Sequence, residues 1–201
     1  MSRTPAVPDS RDIAMIAVFA GVVAALGLIP ALSPFGSPVP ITAQTLGVML
    51  AGAILGPRRG ALAVLLFLAL VALGLPLLAG GRGGLGILAG TSIGYFVGWV
   101  VGAFVVGALT YAFRAPYRLL PGLLAALVGG VVVIHALGIV GMILRADLSL
   151  GAAVKVDLLF IPGDVAKAVI CALVARGVHA AYPGLLPERR SRSAEPADAL
   201  R

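Results

Sequence analysis

The sequence predicts an all-α integral membrane protein, a bundle of six transmembrane helices with both termini on the cytoplasmic side. Hydrophobic residues make up 60% of the 201 positions and charged residues only 11%, whereas a soluble domain is about half apolar and about a quarter charged. The mean hydropathy is +1.09. The apolar residues form long runs whose ends carry unequal numbers of basic residues. Lipid is therefore the solvent for most of the chain, and we expect one membrane domain.

The first two predicted spans cover residues 13–29 and 41–55. The first is an unbroken apolar run that ends before Pro30. A basic start and an apolar run also fit a cleavable signal peptide, but further membrane segments follow, which favours a retained helix. The second has 15 residues, and at about 1.5 Å per residue it covers about 22 Å of a hydrocarbon core of about 30 Å. On its own, this second segment is too short to cross the membrane.

Four further spans complete the predicted bundle, at residues 61–78, 90–113, 119–144 and 162–181. The links after the second and fourth spans are basic and contain proline, and the third span ends at a glycine-rich segment. Residues 145–157 are mixed and are expected to hold a short interfacial turn or helix. Pro162 opens the last span, where it is tolerated because the first helical position makes no intrahelical use of its N–H.

The ends of the chain differ from its middle. Residues 1–11 are predicted as a cytoplasmic tail, residues 12–182 as the membrane domain, and residues 183–201 as a polar, proline-broken cytoplasmic tail that we expect to be disordered. With both termini inside, eleven basic residues lie at or near the cytoplasmic face and three lie outside, while the fifteenth, Lys167, lies within a span. This asymmetry predicts the orientation. We expect a multi-pass protein of the inner (plasma) membrane, surrounded by lipid.

Several functions are disfavoured by the sequence. The net charge of +7 does not indicate nucleic-acid binding, because the basic residues are scattered between apolar runs. Cys171 is the single cysteine, so it excludes an internal disulfide and is interpreted as a packing residue. The phosphate-loop pattern G-x-x-x-x-G-K-[ST] is absent. We expect no ATP hydrolysis by that device, no metal site and no cofactor.

The strongest candidate for chemistry is the pair Asp164 and Lys167, which lie three residues apart at the start of the last predicted span. Residues at this spacing share a helix face, so the pair should meet or share a partner. An ionisable residue inside a span costs about 3 kcal/mol or more and commonly marks a functional site. An ion pair that only locks the helix is the alternative; function is favoured because apolar replacements of such pairs are often neutral or stabilising. The predicted site lies in the outer half of the membrane.

A second candidate is the proline-rich loop 33–40 and the polar residues that follow it. Thr42, Gln44 and Thr45 offer hydrogen-bonding groups at the mouth of the short second span. A short or interrupted span often marks a transporter's binding site. An ordinary external loop with polar helix caps is the alternative.

The glycine-rich segment 80–95 is the third candidate. Its glycines allow backbone to approach a ligand or another helix closely. Within it, Arg82 could attract an anion and Tyr95 offers a ring with a hydroxyl group. His135 and His179 are isolated in the sequence; we assign them ordinary packing or interfacial roles, because neither has metal-ligand spacing.

Small residues form a stripe on the first predicted helix. Ala17, Gly21 and Ala25 recur at four-residue spacing. Such stripes allow close helix contact in lipid. The contact could be made within the bundle or with a partner membrane protein.

Three segments read VPITAQTLGVMLAGAILGPRRGALAVLLFLAL, GLPLLAGGRGGLGIL and FIPGDVAKA. Together they resemble the BioY family, the biotin-specific substrate-binding components of energy-coupling-factor (ECF) transporters. The resemblance covers roughly residues 12–181. It departs from the family pattern G-P-T-G-G-Y, which stands here as Gly90-Thr91-Ser92-Ile93-Gly94-Tyr95.

The resemblance implies a six-helix protein that captures biotin from outside. It also implies a transmembrane coupling protein and two cytoplasmic ATPase subunits as partners, with the helix 1 stripe at the coupling contact. Asp164 can accept a hydrogen bond from a ureido N–H group of biotin, and Lys167 can donate to the ureido oxygen or to the carboxylate. Two other classes stay open. A self-contained secondary transporter would need more ionisable groups within the spans, and a membrane enzyme acting on a small amphiphile would need further groups near the pair.

Overall fold

The computed structural model describes residues 9–33 and 39–187, and in these ranges the chain is helical. The helices are α1 Ser10–Leu26, α2 Gln44–Leu55, α3 Pro57–Ala72, α4 Ile93–Ala112, α5 Leu119–Ala146, α6 Leu150–Asp157 and α7 Ile161–Ala181. Within the described ranges, extended pairing is limited to two isolated bridges, Leu32 with Ile41 and Leu78 with Arg82. The predicted all-helical fold is confirmed.

The helices differ in their ability to cross a membrane. In the described ranges, α4 and α5 are long and apolar enough to span a bilayer, and α6 with α7 would form a third span bent by 49°. The second predicted span is the 12-residue apolar helix α2, about 18 Å long at 1.5 Å per residue. The apolar helices are those of a membrane protein, and the count of six spans stays a prediction.

Local sequence explains where the helices begin and end. Gly56 separates α2 from α3 at a φ of 82°, in the left-handed region that favours glycine, and Pro57 occupies the first turn of α3. Helix α7 begins at Ile161, one residue before the predicted start, and ends at Ala181 as predicted. The short helix expected within residues 145–157 is α6.

Helix α4 packs against α2, α3 and α5. It meets α5 where Gly94 faces Gly141, and a Cβ atom on Gly141 would lie 2.6 Å from the Gly94 backbone. Any side chain there would separate the two helices, as at other close helix contacts in lipid. The buried core includes Phe67, Met49 and Cys171, which confirms the packing interpretation of the cysteine.

The first and last described residues of the chain lie at the same end of the helix bundle. Arg59 at the start of α3 lies 3.0 Å from Asp12 at the start of α1. The N–H of Ala115, after α4, donates to the carbonyl of Pro187 over 3.1 Å. The starts of α1 and α3 therefore lie at one end of the molecule, and the chain after α7 reaches the α4–α5 link.

The tails are described only in part. Residues 1–8, residues 34–38 of the loop after α1 and residues 188–201 lie outside the described residues. The beginning of the predicted C-terminal tail is ordered, since Pro183–Leu185 form a 3₁₀ turn and Leu186 is buried. Leu186 supplies an apolar anchor for residues 183–187, and the disordered tail stays a prediction.

Candidate ligand-binding cavity

A small cavity of about 40 Å³ opens between α2, α4, α5 and α7 and the loops beside them. Its lining brings together all six residues predicted to bind substrate, namely Thr42, Gln44, Arg82, Tyr95, Asp164 and Lys167. Residues that are distant in sequence thus share one site.

The predicted pair of Asp164 and Lys167 forms a direct ion pair. The Lys167 Nζ lies 2.7 Å from Asp164 Oδ1, in the first turn of α7. Lys167 also donates to the Thr42 carbonyl over 2.6 Å and to Thr45 Oγ1 over 3.0 Å. An ammonium group has three donors, so protein groups engage all of them in this structure.

Asp164 accepts hydrogen bonds from three side chains. Its Oδ1 accepts from Lys167 and, over 2.8 Å, from Thr45 Oγ1. Its Oδ2 lies 2.9 Å from His135 Nε2. The carboxylate is 3% exposed, and charge-assisted hydrogen bonds of this kind compensate for such burial.

His135 extends this network to a second carboxylate. Its Nδ1 lies 2.7 Å from Asp157 Oδ1, which also accepts from the Tyr95 hydroxyl over 2.7 Å. The expectation that His135 has an ordinary packing role is wrong, because the network joins it to Asp157 and Asp164. Asp157 was missed as well, since it stands 22 residues from His135 and no short motif connects the two.

Two irregularities in the helices place these groups. The segment Leu127–Val133 of α5 is a π-helix, which ends two residues before His135. Such segments change the phase of the residues that follow and are frequent at functional sites. The 49° break between α6 and α7 brings Asp157, the last residue of α6, and Asp164 to opposite sides of the same imidazole.

Gln44 has a different role from the ion pair. It is fully buried, and its Nε2 donates to the carbonyls of Val23 and Leu77 while its Oε1 accepts from the N–H of Ala79, each over 3.1 Å. Both amide donors are therefore used by the backbone. Gln44 ties α1 and the α3–α4 loop to the cavity wall, and direct contact with a ligand stays a prediction.

The remaining predicted residues lie toward the cavity edge. Thr42 contributes its backbone carbonyl to Lys167. Arg82 is exposed, and its Nε donates to the Ala79 carbonyl over 3.3 Å. Trp99 and Phe160, which were not predicted, form an aromatic wall of the cavity, and Trp99 Nε1 is buried with no partner among the described residues. The single tryptophan of the sequence was a signal that could have found it.

The small-residue stripe on α1 faces outward. Ala17, Gly21 and Ala25 are all exposed, and a Cβ atom on Gly21 would meet no atom within 4 Å. The alternative in which the stripe packs inside the bundle is therefore wrong for the described residues. This face is open to lipid or to a partner helix.

The fold and the cavity define a helical membrane protein with a buried ion pair at the wall of a cavity between its helices. Residues 1–184 match the BioY family. A biotin transporter BioY of Rhizobium etli is 49% identical, over 90% of this chain and 99% of the relative, and one of Rhodobacter capsulatus is also 49% identical, over 89% and 98%. The chain belongs to the BioY family.

A solved structure gives the same result at the level of the fold. It is described as the S-component for biotin from an ECF-type ABC transporter. The two structures superpose with a TM-score of 0.80 at 30% sequence identity, over 85% of this chain and 91% of the other. The named relatives are transporters, not enzymes.

Proposed function

We propose that the chain is the substrate-binding subunit of an ECF transporter and captures biotin in the cavity beside Asp164 and Lys167. The observation that supports this most is the arrangement of six predicted residues around one cavity in a member of the BioY family. Biotin has a fused apolar ring system, a ureido group with two N–H donors and one carbonyl acceptor, and a carboxylate tail. The aromatic wall suits the rings, and the ionised pair suits the polar groups.

Binding requires an exchange of hydrogen bonds. Because Lys167 donates to Asp164, Thr42 and Thr45, a ligand acceptor must take the place of one of these, most simply the neutral Thr42 carbonyl or Thr45 hydroxyl. Asp164 Oδ2 accepts one described hydrogen bond, and a carboxylate oxygen can accept another. A ureido N–H group would fill that position, while Lys167 takes the ureido oxygen or the carboxylate.

The proposed topology has six spans, with both termini in the cytoplasm and the cavity in the outer half of the inner membrane. It is supported by the end of the bundle that gathers Asp12, Arg59 and Pro187, opposite the cavity. Basic residues at that end agree with a cytoplasmic location. In this arrangement α6 lies at the outer interface, and α7 descends from it.

The proposed partners are a transmembrane coupling protein and two cytoplasmic ATPase subunits, with contact to the coupling protein along Ala17, Gly21 and Ala25. Gly21→Leu should reduce copurification with the coupling protein and ATP-driven uptake, because it fills the space through which a partner helix would approach. Biotin binding by the isolated chain should persist. Val18→Leu, at an exposed position beside the stripe, is the control. Normal assembly of the Gly21 variant would exclude this contact.

Calorimetric titration of the purified chain with biotin tests the function. We expect saturable binding at micromolar protein, with no cofactor needed for capture. We expect no ATPase activity by the chain alone, because the phosphate-loop pattern is absent from its sequence. An absence of binding heat would exclude the proposal. Proteoliposomes that contain only this chain should not accumulate biotin; uphill uptake driven by a proton gradient would instead indicate a secondary transporter.

A further inference from the structure

His135 lies between two buried carboxylates, and its position has a consequence for charge. Its ring nitrogens are 2.7 Å from Asp157 Oδ1 and 2.9 Å from Asp164 Oδ2, distances typical of charge-assisted hydrogen bonds. A neutral imidazole has one N–H group, whereas the imidazolium ion donates from both nitrogens. With both carboxylates ionised, only the cationic form satisfies the two contacts.

The charges of the cluster then sum to zero. Asp157 and Asp164 supply two negative charges, and His135 and Lys167 supply two positive charges. Among the described residues, Lys167 contacts Asp164 and not Asp157, so His135 is the counter-ion of Asp157. A neutral residue in its place would leave two carboxylates with one cation inside a membrane protein, which is strongly unfavourable.

We propose that His135 is a positioning residue for biotin binding, which as a cation balances the second carboxylate and keeps Asp164 ionised while Lys167 turns to the ligand. The inference rests on the proposed function. Lys167 must give up one of its present acceptors when a ligand enters, and His135 then continues to donate to Asp164 Oδ2. Tyr95 supports the second carboxylate, because its hydroxyl donates to Asp157 Oδ1. Asp157 itself is absent from the residues that line the cavity.

A charge-compensation experiment tests the proposal. Biotin titrations compare the wild-type chain with His135→Asn, Asp157→Asn and the double variant, and His179→Asn serves as a matched control at another buried histidine. His135→Asn should weaken binding by about tenfold or more, since one negative charge is left uncompensated. The double variant should recover most of the loss because it is neutral again. Asp157→Asn alone should lose less than His135→Asn, because His135 can release its proton and still donate to Asp164.

Several results would overturn the proposal. Wild-type affinity in His135→Asn, or losses in the double variant that add up from the single variants, would reduce His135 to a packing role. An infrared band of a protonated carboxyl group that Asp157→Asn removes would exclude the assigned charges, even if His135→Asn does not fold. Thermal unfolding without biotin of the wild-type chain and its three charge variants tests the charge balance separately. We expect the unfolding temperatures to follow the same order as the affinities. Failure of the wild-type chain to bind biotin would overturn the proposed function as well. An affinity for biotin that is unchanged in these variants would overturn this inference alone.

Discussion

The two histidines of the chain lie at opposite ends of the bundle and show how far the same residue type can differ. Both are buried, with exposures of 4% for His135 and 5% for His179. His135 contacts two carboxylates. His179, in the last turn of α7, contacts the Ala53 carbonyl through Nε2 over 2.9 Å and stacks on Tyr117 with ring centroids 5.0 Å apart.

The difference lies in charge. No carboxylate among the described residues is paired with His179, and its Nδ1 has no described partner. Burial raises the pKa of the neighbouring Tyr117 to about 12, so that phenol stays neutral at physiological pH. His135 belongs to a network of charged groups, and His179 belongs to a stack of rings. Burial alone therefore does not indicate function; the partners of a buried polar group do.

The largest expected effect is at the ion pair. Asp164→Asn and Lys167→Met each remove one charge of this ion pair and unbalance the charges at the cavity wall, so each should weaken biotin binding by at least about tenfold, or 1.4 kcal/mol. Calorimetry measures this loss. Lys155→Met, at the other lysine of the sequence, which is exposed on α6, should bind as the wild type does. A folded Asp164 or Lys167 variant with wild-type affinity would make the pair structural and move the site elsewhere.

A smaller effect separates two threonines near Lys167. Thr45→Val removes a hydroxyl group that donates to Asp164 and accepts from Lys167, and should weaken binding by up to about tenfold. Thr42→Val keeps the backbone carbonyl that Lys167 uses, so affinity should stay within about twofold of the wild type. Equal losses in the two titrations would show that the Thr42 hydroxyl contacts the ligand directly.

The smallest expected effect on binding is at the other end. His179→Phe keeps a ring against Tyr117 but removes the contact to the Ala53 carbonyl, so the free energy of unfolding should fall by about 1 kcal/mol. Biotin affinity should not change. Thermal unfolding in detergent and calorimetry measure the two quantities. A loss of affinity comparable with that of His135→Asn would abolish the contrast between the two ends.

The sequence predicted those parts of the site that depend on local spacing. Asp164 and Lys167 meet because residues three apart share a helix face, and α2 is short because its apolar run is short. The partners of His135 could not be predicted in this way. Asp157 and Asp164 are 22 and 29 residues away, and their convergence depends on the π-helical segment of α5 and on the break before α7.

Gln44 illustrates the same limit. Its position at the mouth of α2 was visible in the sequence, but the carbonyls of Val23 and Leu77 reach it from segments 21 and 33 residues away. A polar side chain beside a cavity can serve the ligand or the backbone. The choice depends on groups that only the fold brings near.

The burial of Cys171 has a practical consequence for chemical labelling. The single thiol of the chain is fully buried, so a reagent that modifies accessible thiols would leave the folded protein unlabelled. A cysteine introduced at an exposed position, such as Arg58 after α2 or Leu85 in the glycine-rich segment, would then react against a silent background. Reagents applied from one side of the membrane would report the orientation of each loop in the otherwise native chain.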